Sequence, residues 1–172
     1  AVAITLLFTL SAWSQQSFRS LPIPDSVFAR MRGVSFPEHE AMQAGVHRTD
    51  LRYLQVLYYD FEGITRQGEL VCNQAIADEL LDIFRQLYEA RYPIASIRLI
   101  DDFGADDERS MTANNTSCFC FRPIEGSTQL SKHAKGMAID LNPLQNPYVR
   151  KKSGKTIVKP KAGTAFVNRN YR

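Results

Sequence analysis

Cysteine is scarce in this chain, and the three that are present do not form a recognisable framework. Cys72, Cys118 and Cys120 are an odd set, so at least one thiol has no partner within the chain. Cys118 and Cys120 share one face of a predicted strand and are too close for an easy disulfide. A bridge from Cys72 to either of them and three buried free thiols both stay open. Without a second cysteine pair, a zinc site made of cysteines alone is not complete.

The chain also lacks an apolar run long enough to cross a membrane. Its N-terminal apolar segment, Ala1–Leu10, is too short to span a bilayer. Small residues follow at Ala12 and Ser14, as in the cleavage region of a secretory signal. We therefore expect residues 1–14 to be the remnant of a signal peptide, with a buried N-terminal helix or strand as the alternative. The mature chain is expected to have no membrane span and to be exported, to the periplasm or the cell exterior.

Acidic residues are missing after Asp140, whereas basic residues cluster there. The whole chain has 21 Lys and Arg against 18 Asp and Glu, a net charge of only +3, so the excess is local. Such a segment can meet anionic wall polymer, nucleic acid or phospholipid, or can form a solvated basic loop. No nucleic-acid-binding motif accompanies it, so no nucleic-acid partner is predicted. The basic residues of this segment are Arg150, Lys151, Lys152, Lys155, Lys159 and Lys161.

What is present is the composition of one globular domain, with 44% apolar and 23% charged residues. Residues 15–47 have weak periodicity and are predicted to form an N-terminal arm or small helices, ahead of a main domain over residues 48–172. Residues 51–61 are rich in aromatic and β-branched side chains and predict a strand. A turn at residues 66–68 would pair it with a second strand at residues 69–72.

The clearest helical pattern follows this predicted hairpin. Asn73 is placed to cap a helix over residues 74–92, and Pro93 ends it. Its apolar side chains at helical spacing are expected to cover the sheet. Further strands are predicted at residues 94–100 and 116–122. The apolar face consists of Ile76, Leu80, Ile83, Phe84 and Leu87.

The most informative stretch is Ser131–Asn142, which reads SKHAKGMAIDLN. Residues 137–142 alternate as a strand, with Ile139 towards the core and Asp140 on the opposite side. Gly136 permits a tight turn that brings the imidazole of His133 back towards the Asp140 carboxylate. An imidazole and a carboxylate that converge are two of the ligands of a tetrahedral zinc site. On spacing alone, a surface histidine and an aspartate in a turn remain the alternative.

The pattern Ser-x-His-x-x-Gly-x-Ala-x-Asp resembles the signature of the zinc D-alanyl-D-alanine carboxypeptidases and dipeptidases. That family includes VanY-type carboxypeptidases, VanX-type dipeptidases and phage L-alanyl-D-glutamate endopeptidases. The resemblance extends over roughly residues 48–172. It implies a small α+β domain, with a curved antiparallel sheet, helices packed on one face and a zinc cleft. The stretches that resemble the phage branch are Asp60–Gly63, Pro93–Ile94, Asn114–Ser117, Arg122 and Asn142–Tyr148.

The resemblance also implies roles for particular residues. His133 and Asp140 match zinc ligands, Arg122 matches the arginine that holds the substrate and the developing oxyanion, and Ser131 matches a serine that binds the peptide. The family's third ligand is a histidine three residues after a catalytic acid, and no histidine follows His133 here. We therefore expect the sequence to be truncated at both ends, with this ligand and the acid beyond Arg172. His39 and His47, in the N-terminal arm, are predicted to face solvent, with supply of the third ligand as the alternative.

The function implied is that of a zinc metallopeptidase with peptidoglycan stem peptides as its partners. It would hydrolyse a peptide bond that involves a D-amino acid, as a carboxypeptidase or an endopeptidase. The 172-residue chain alone is expected to bind zinc weakly and to be inactive. The alternatives are a catalytically inactive, zinc-stabilised cell-wall-binding module and an adaptor without metal. The scissile bond and the oligomeric state stay open.

Overall fold

The computed structural model describes residues 17–169, and its regular elements lie around a three-stranded sheet. The predicted signal remnant, residues 1–14, lies outside the described residues. No helix within residues 17–169 combines the length and the apolar character needed to cross a bilayer. The strands are β1 (Arg19–Pro22), β2 (Leu51–Tyr59), β3 (Thr65–Asn73), β4 (Ser96–Ile97), β5 (Asn115–Thr116), β6 (Tyr148–Lys152) and β7 (Lys155–Lys159); the α-helices are α1 (Asp25–Met31), α2 (Glu38–Gln43), α3 (Ala77–Glu89) and α4 (Asp107–Thr112).

The main sheet has the order β1-β2-β3 and is antiparallel throughout, as the resemblance implied for the main sheet. Strands β2 and β3 pair from Leu51↔Asn73 to Tyr59↔Thr65, so the hairpin turn lies at residues 60–64. The turn predicted at residues 66–68 is therefore wrong, because those residues belong to β3. Asp60 supplies the turn instead: its Oδ1 accepts hydrogen bonds from the backbone of Glu62 and Ile64.

Helix α3 covers one face of this sheet. Asn73 is a cap, as predicted, but it caps the 3₁₀ turn Gln74–Ile76 that leads into α3, where its side chain accepts a hydrogen bond from Ala75 N. Leu80 and Phe84 are buried among the sheet residues, whereas Ile83 is 45% exposed. The helical repeat therefore places Ile83 off the buried face, and the prediction that it packs on the sheet is wrong.

The opposite face of the sheet is covered by the N-terminal segment. Residues of α1 and of the chain up to Val46 form a second buried cluster with Leu51, Tyr53 and Val71. The expectation of helices on one face alone is therefore corrected, since apolar positions alternate to both faces of β2. Residues 19–22, which had no strand pattern, pair with β2. The division into an arm over residues 15–47 and a domain over 48–172 stays a prediction.

The strands predicted after α3 are much shorter than expected. Residues 94–100 and 116–122 contribute only the two-residue strands β4 and β5, which pair in parallel. Between β5 and β6, residues 117–147 form isolated bridges rather than regular strands. The basic segment is not a loop: β6 and β7 form a hairpin with a turn at Ser153 and Gly154, both with positive φ.

Candidate active site

His133 begins a short 3₁₀ turn, His133–Lys135, that is fixed from two sides. Its carbonyl accepts a hydrogen bond from Cys120 N at 3.1 Å. Its own amide donates to Ser131 Oγ at 3.2 Å. Ser131 N in turn donates to the Arg122 carbonyl. Ser131, predicted to bind substrate, is thus buried and orients the backbone that carries His133.

Gly136 ends this turn in the left-handed conformation, with φ of 66°. Its carbonyl accepts a hydrogen bond from Asn73 N at 2.9 Å, which ties the turn to the end of β3. A Cβ at this position would lie 2.6 Å from Asn73 N. Gly136 is therefore required for two reasons: only glycine adopts this φ without strain, and a side chain would collide with the end of β3.

Asp140 is held by an isolated antiparallel bridge to Ser117, with N···O distances of 2.9 and 3.2 Å. The strand predicted over residues 137–142 is not formed. Met137, which the alternation places on the same side as Ile139, is 41% exposed. Ile139 and Leu141 do pack against the core cluster, as the alternation predicted. Asp140 consequently faces the other way, towards His133.

The imidazole of His133 and the carboxylate of Asp140 meet, with Nε2 and Oδ2 3.5 Å apart. His133 Nδ1 lies 2.7 Å from the Cys118 carbonyl oxygen. A carbonyl only accepts, so Nδ1 carries the proton and donates. In the neutral ring, the lone pair of Nε2 therefore faces the carboxylate. Burial raises the pKa of Asp140, while the charge of a protonated His133 would lower it. Two acceptors that face each other are stabilised by a shared cation.

Arg122 stands beside this pair, and its partner is a residue that the sequence did not single out. Arg122 Nη2 lies 2.8 Å from Asp107 Oδ2, in the first turn of α4. Within the part of the chain that the structure describes, Arg122 Nε is buried and has no hydrogen-bond partner. Asp107 has no signal in the sequence beyond being one of several acids near residue 106. The ion pair fixes a cation at the edge of the site while leaving one donor available.

These residues line a cleft of about 230 Å³. One wall is the β6–β7 hairpin, which contributes Tyr148, Arg150 and Lys159. Glu125 also lines the cleft, and its Oε2 lies 2.7 Å from Lys159 Nζ. The basic cluster is visible in the sequence, but its place at the cleft is not, because a run of charged residues does not indicate where the chain folds. The other lining residues are Asp107, Met111, Arg122, Ile124, Ser131, His133 and Asp140.

Within residues 17–169, no group of three or more His, Cys, Asp or Glu side chains is arranged to hold a metal ion. His39 pairs with Gln43, and the backbone of His47 with Asp50, and neither histidine lines the cleft. Both are exposed, as predicted. The three cysteines are free and buried, which settles the choice left open in the sequence.

Comparison with known proteins finds a family similarity over part of the chain. Residues 125–171 match the M15 peptidase family model described as D-alanyl-D-alanine carboxypeptidase. The matched range includes Ser131, His133, Asp140 and the β6–β7 hairpin, while Arg122 and Asp107 precede it. No curated protein and no solved structure matched the chain. The resemblance seen in the motif is confirmed over residues 125–171, which are similar to the D-alanyl-D-alanine carboxypeptidases and make up less than half of the chain.

Proposed function

We propose that the protein is a zinc-dependent peptidase that hydrolyses a peptide bond involving a D-amino acid in peptidoglycan stem peptides. One observation carries the proposal. The Cys118 carbonyl fixes the proton of His133 on Nδ1, and the free Nε2 lies 3.5 Å from the Asp140 carboxylate at the cleft. The match of residues 125–171 to carboxypeptidases supplies the reaction class. Export to the periplasm or the cell exterior, where such a substrate lies, is part of the same proposal.

The donor set fits zinc. A neutral imidazole nitrogen and a carboxylate oxygen are ligands that zinc accepts, and the hydrogen bond from the other ring nitrogen to a carbonyl is a typical outer-shell contact. His133 Nε2 and Asp140 would hold the ion. Zinc supplies a Lewis acid that polarises a carbonyl and lowers the pKa of water from ~15.7 to about 7. A third ligand and a general acid belong to the proposal, and the described residues do not supply a third donor to this pair.

The chain's own residues supply binding and charge. Arg122, held by Asp107, places a guanidinium at the cleft and keeps Nε unpartnered. A substrate carbonyl oxygen that gains negative charge would accept from this group, which stabilises the transition state more than the ground state. Ser131 acts mainly by orienting His133 through its hydroxyl, and its place in the cleft wall allows contact with the peptide. Tyr148 and Ile124 give that peptide apolar surface.

Metal binding is the first test. Zinc affinity of the chain is measured by competition with a chromogenic chelator, and cobalt is used as a spectroscopic probe of the ligands. His133→Ala and Asp140→Asn should each weaken binding at least about tenfold, the lower range for loss of a metal-site contact. His39→Ala is the matched control, since this exposed histidine lies away from the cleft. Equal zinc affinity in His133→Ala and His39→Ala would refute the assignment.

Activity is the second test, on the longest gene product that contains this chain. Release of D-Ala from stem pentapeptide, and of new amino groups from cross-linked muropeptides, separates carboxypeptidase from endopeptidase action. Arg122→Ala should keep zinc and lower kcat/KM by about 10²–10³, as for other donors to a developing oxyanion. Retained kcat/KM in Arg122→Ala would refute the role of this residue. Zinc binding without any hydrolysis would instead favour the wall-binding module.

A further inference from the structure

The β6–β7 hairpin carries two cations on the face that lines the cleft. In β6, Tyr148 and Arg150 lie on one face, and Tyr148 pairs directly with Lys159 of β7. Lys151 lies on the opposite face of the same strand and does not line the cleft. Arg150 and Lys159 are therefore cross-strand neighbours on one side, and their positive charges add at the cleft wall.

Both cations contact one carboxylate. Glu125 Oε2 lies 2.7 Å from Lys159 Nζ and 3.6 Å from Arg150 Nη2. One carboxylate cannot neutralise two cations, so this wall keeps an excess positive charge. In addition, Arg150 Nε is buried and has no hydrogen-bond partner among residues 17–169. Glu125 is the most exposed of the three, with a side-chain accessibility of 63% against 32% for Arg150 and 31% for Lys159.

The other arginine or lysine that lines the cleft, Arg122, already pairs with Asp107. The excess positive charge of the cleft therefore lies on the hairpin, while Asp140 faces the imidazole of His133. Guanidinium and ammonium groups with a spare donor bind carboxylates through charge-assisted hydrogen bonds. An exposed glutamate that bridges them occupies the position that a ligand carboxylate would take.

We propose that Arg150 and Lys159 form a subsite for a carboxylate of the substrate, which Glu125 occupies in the absence of ligand. The subsite selects peptides with a free carboxylate near the scissile bond, and Glu125 competes with that group. This inference rests on the proposed function, since it takes the cleft as the peptide site. The carboxylate has two sources in stem peptides: the C-terminus of a last D-alanine or the side chain of D-glutamate.

Two matched pairs of peptides test the subsite and distinguish these sources. D-Ala-D-Ala is compared with its C-terminal amide, and L-Ala-D-Glu amide with L-Ala-D-Gln amide. Dissociation constants come from NMR titration of the zinc-free chain, followed at the amides of residues 148–159. At least one acid should bind about tenfold more tightly than its neutral partner, the value of one charge-assisted hydrogen bond. The ratio of the two affinities, acid over neutral peptide, should decrease with added salt.

Three substitutions locate the effect. Arg150→Gln and Lys159→Gln should each remove most of the preference for the acid, while Lys151→Gln, with the same change of charge on the other face, should keep it. Glu125→Gln should tighten binding of the acid severalfold and leave the neutral peptide unchanged, because it removes the competing carboxylate. Weaker binding of the acid by Glu125→Gln, or equal loss in Lys151→Gln, would overturn the inference.

The result also separates this inference from the proposed function. Zinc binding at His133 together with equal affinity for acids and amides would overturn the subsite and leave the peptidase. Loss of both zinc binding and peptide binding would overturn both. A melting temperature of each variant within the range of Lys151→Gln confirms that the substitutions act on binding rather than on folding.

Discussion

The molecule has two regions that differ in how their backbone is held. The scaffold, β1–β3 with α3, has continuous ladders and a helix whose apolar residues are buried on the sheet. The site segment, residues 117–142, contains one 3₁₀ turn and isolated bridges. Single hydrogen bonds connect it to the scaffold: Phe119 N to the Val71 carbonyl, and Asn73 N to the Gly136 carbonyl.

The difference explains where the chemistry lies. A regular strand would send successive side chains to opposite faces at fixed spacing. The site needs His133 and Asp140 to converge, although they are seven positions apart in the sequence. Only an irregular backbone, turned at Gly136 and anchored at Ser117, brings them within 3.5 Å. The scaffold therefore gives a rigid support, and the irregular site segment brings the two side chains together.

The largest expected effect tests the scaffold. Phe84→Ala should lower the free energy of unfolding by about 3–5 kcal/mol, because it opens a cavity under α3 where Phe84 is 1% exposed. Urea denaturation followed by circular dichroism measures it. Ile83→Ala, one position along the same helix and 45% exposed, is the control. A change above about 1 kcal/mol for Ile83→Ala would place that residue in the core after all.

The sequence predicted the scaffold better than the site because its signals are periodic. Asn73 and the spacing of Leu80 and Phe84 were enough to predict α3, although the same repeat wrongly included Ile83. Periodicity could not predict β1, which is short and lies at the sheet edge beside Pro22. For the site, the motif named His133 and Asp140, and their roles as ligands stay predictions.

Contacts between segments distant in sequence left no signal in the chain. The Cys118 carbonyl orients His133, yet any residue has a carbonyl. Asp107 pairs with Arg122 because α4 places it there, and several other acids lie close to it in sequence. The sequence predicted a loop where the hairpin of Arg150 and Lys159 lies, because its turn, Ser153–Gly154, lies between lysines rather than hydrophobic runs.

The next effect tests the attachment of the site segment to the scaffold. Gly136→Ala should destabilise the protein by about 2–4 kcal/mol, the sum of a left-handed backbone penalty and of crowding against Asn73. Gly63→Ala has a similar φ, 75°, but its Cβ would meet nothing within 4 Å. It should cost only about 1–2 kcal/mol. Equal losses in the two variants would show that contact with β3 does not constrain the site.

A smaller effect is the order in which the three cysteines react with a thiol reagent, which reports local opening in the two regions. Burial raises the pKa of Cys72 and Cys120 to about 12, and that of Cys118 further, so none should react quickly with a thiol reagent in the native state. In mild denaturant, Cys120 should react first, because it lies outside both core clusters, whereas Cys72 and Cys118 belong to one. Mass spectrometry of labelled peptides gives the order. Labelling of Cys72 before Cys120 would reverse the comparison.

The smallest effect is a pH dependence of the free energy of unfolding. It should have opposite signs for Asp101, between the two regions, and for Asp60, in the scaffold. Burial raises the pKa of Asp101, whose Oδ1 accepts from Ser35 N. The contribution of Asp101 to the free energy of unfolding is therefore present below the unfolded pKa of about 3.9. It is lost as pH rises through the pKa that Asp101 has in the folded protein. The ion pair with Arg66 and backbone donors lower the pKa of Asp60, so its contribution is present above about 3.9 and lost as pH falls.

Two substitutions separate these signs. Asp101→Asn keeps an oxygen acceptor for Ser35 N and removes the charge, so its stability relative to the unmodified protein should improve as pH rises from 4 to 7. Asp60→Asn should lose relative stability as pH rises through the range below about 4, where the contribution of Asp60 appears, and its difference should stay constant above that range. Urea denaturation at each pH measures both. If the two differences moved in the same direction, Asp101 would be solvated like Asp60, and the buried junction between scaffold and site segment would have to be open in solution.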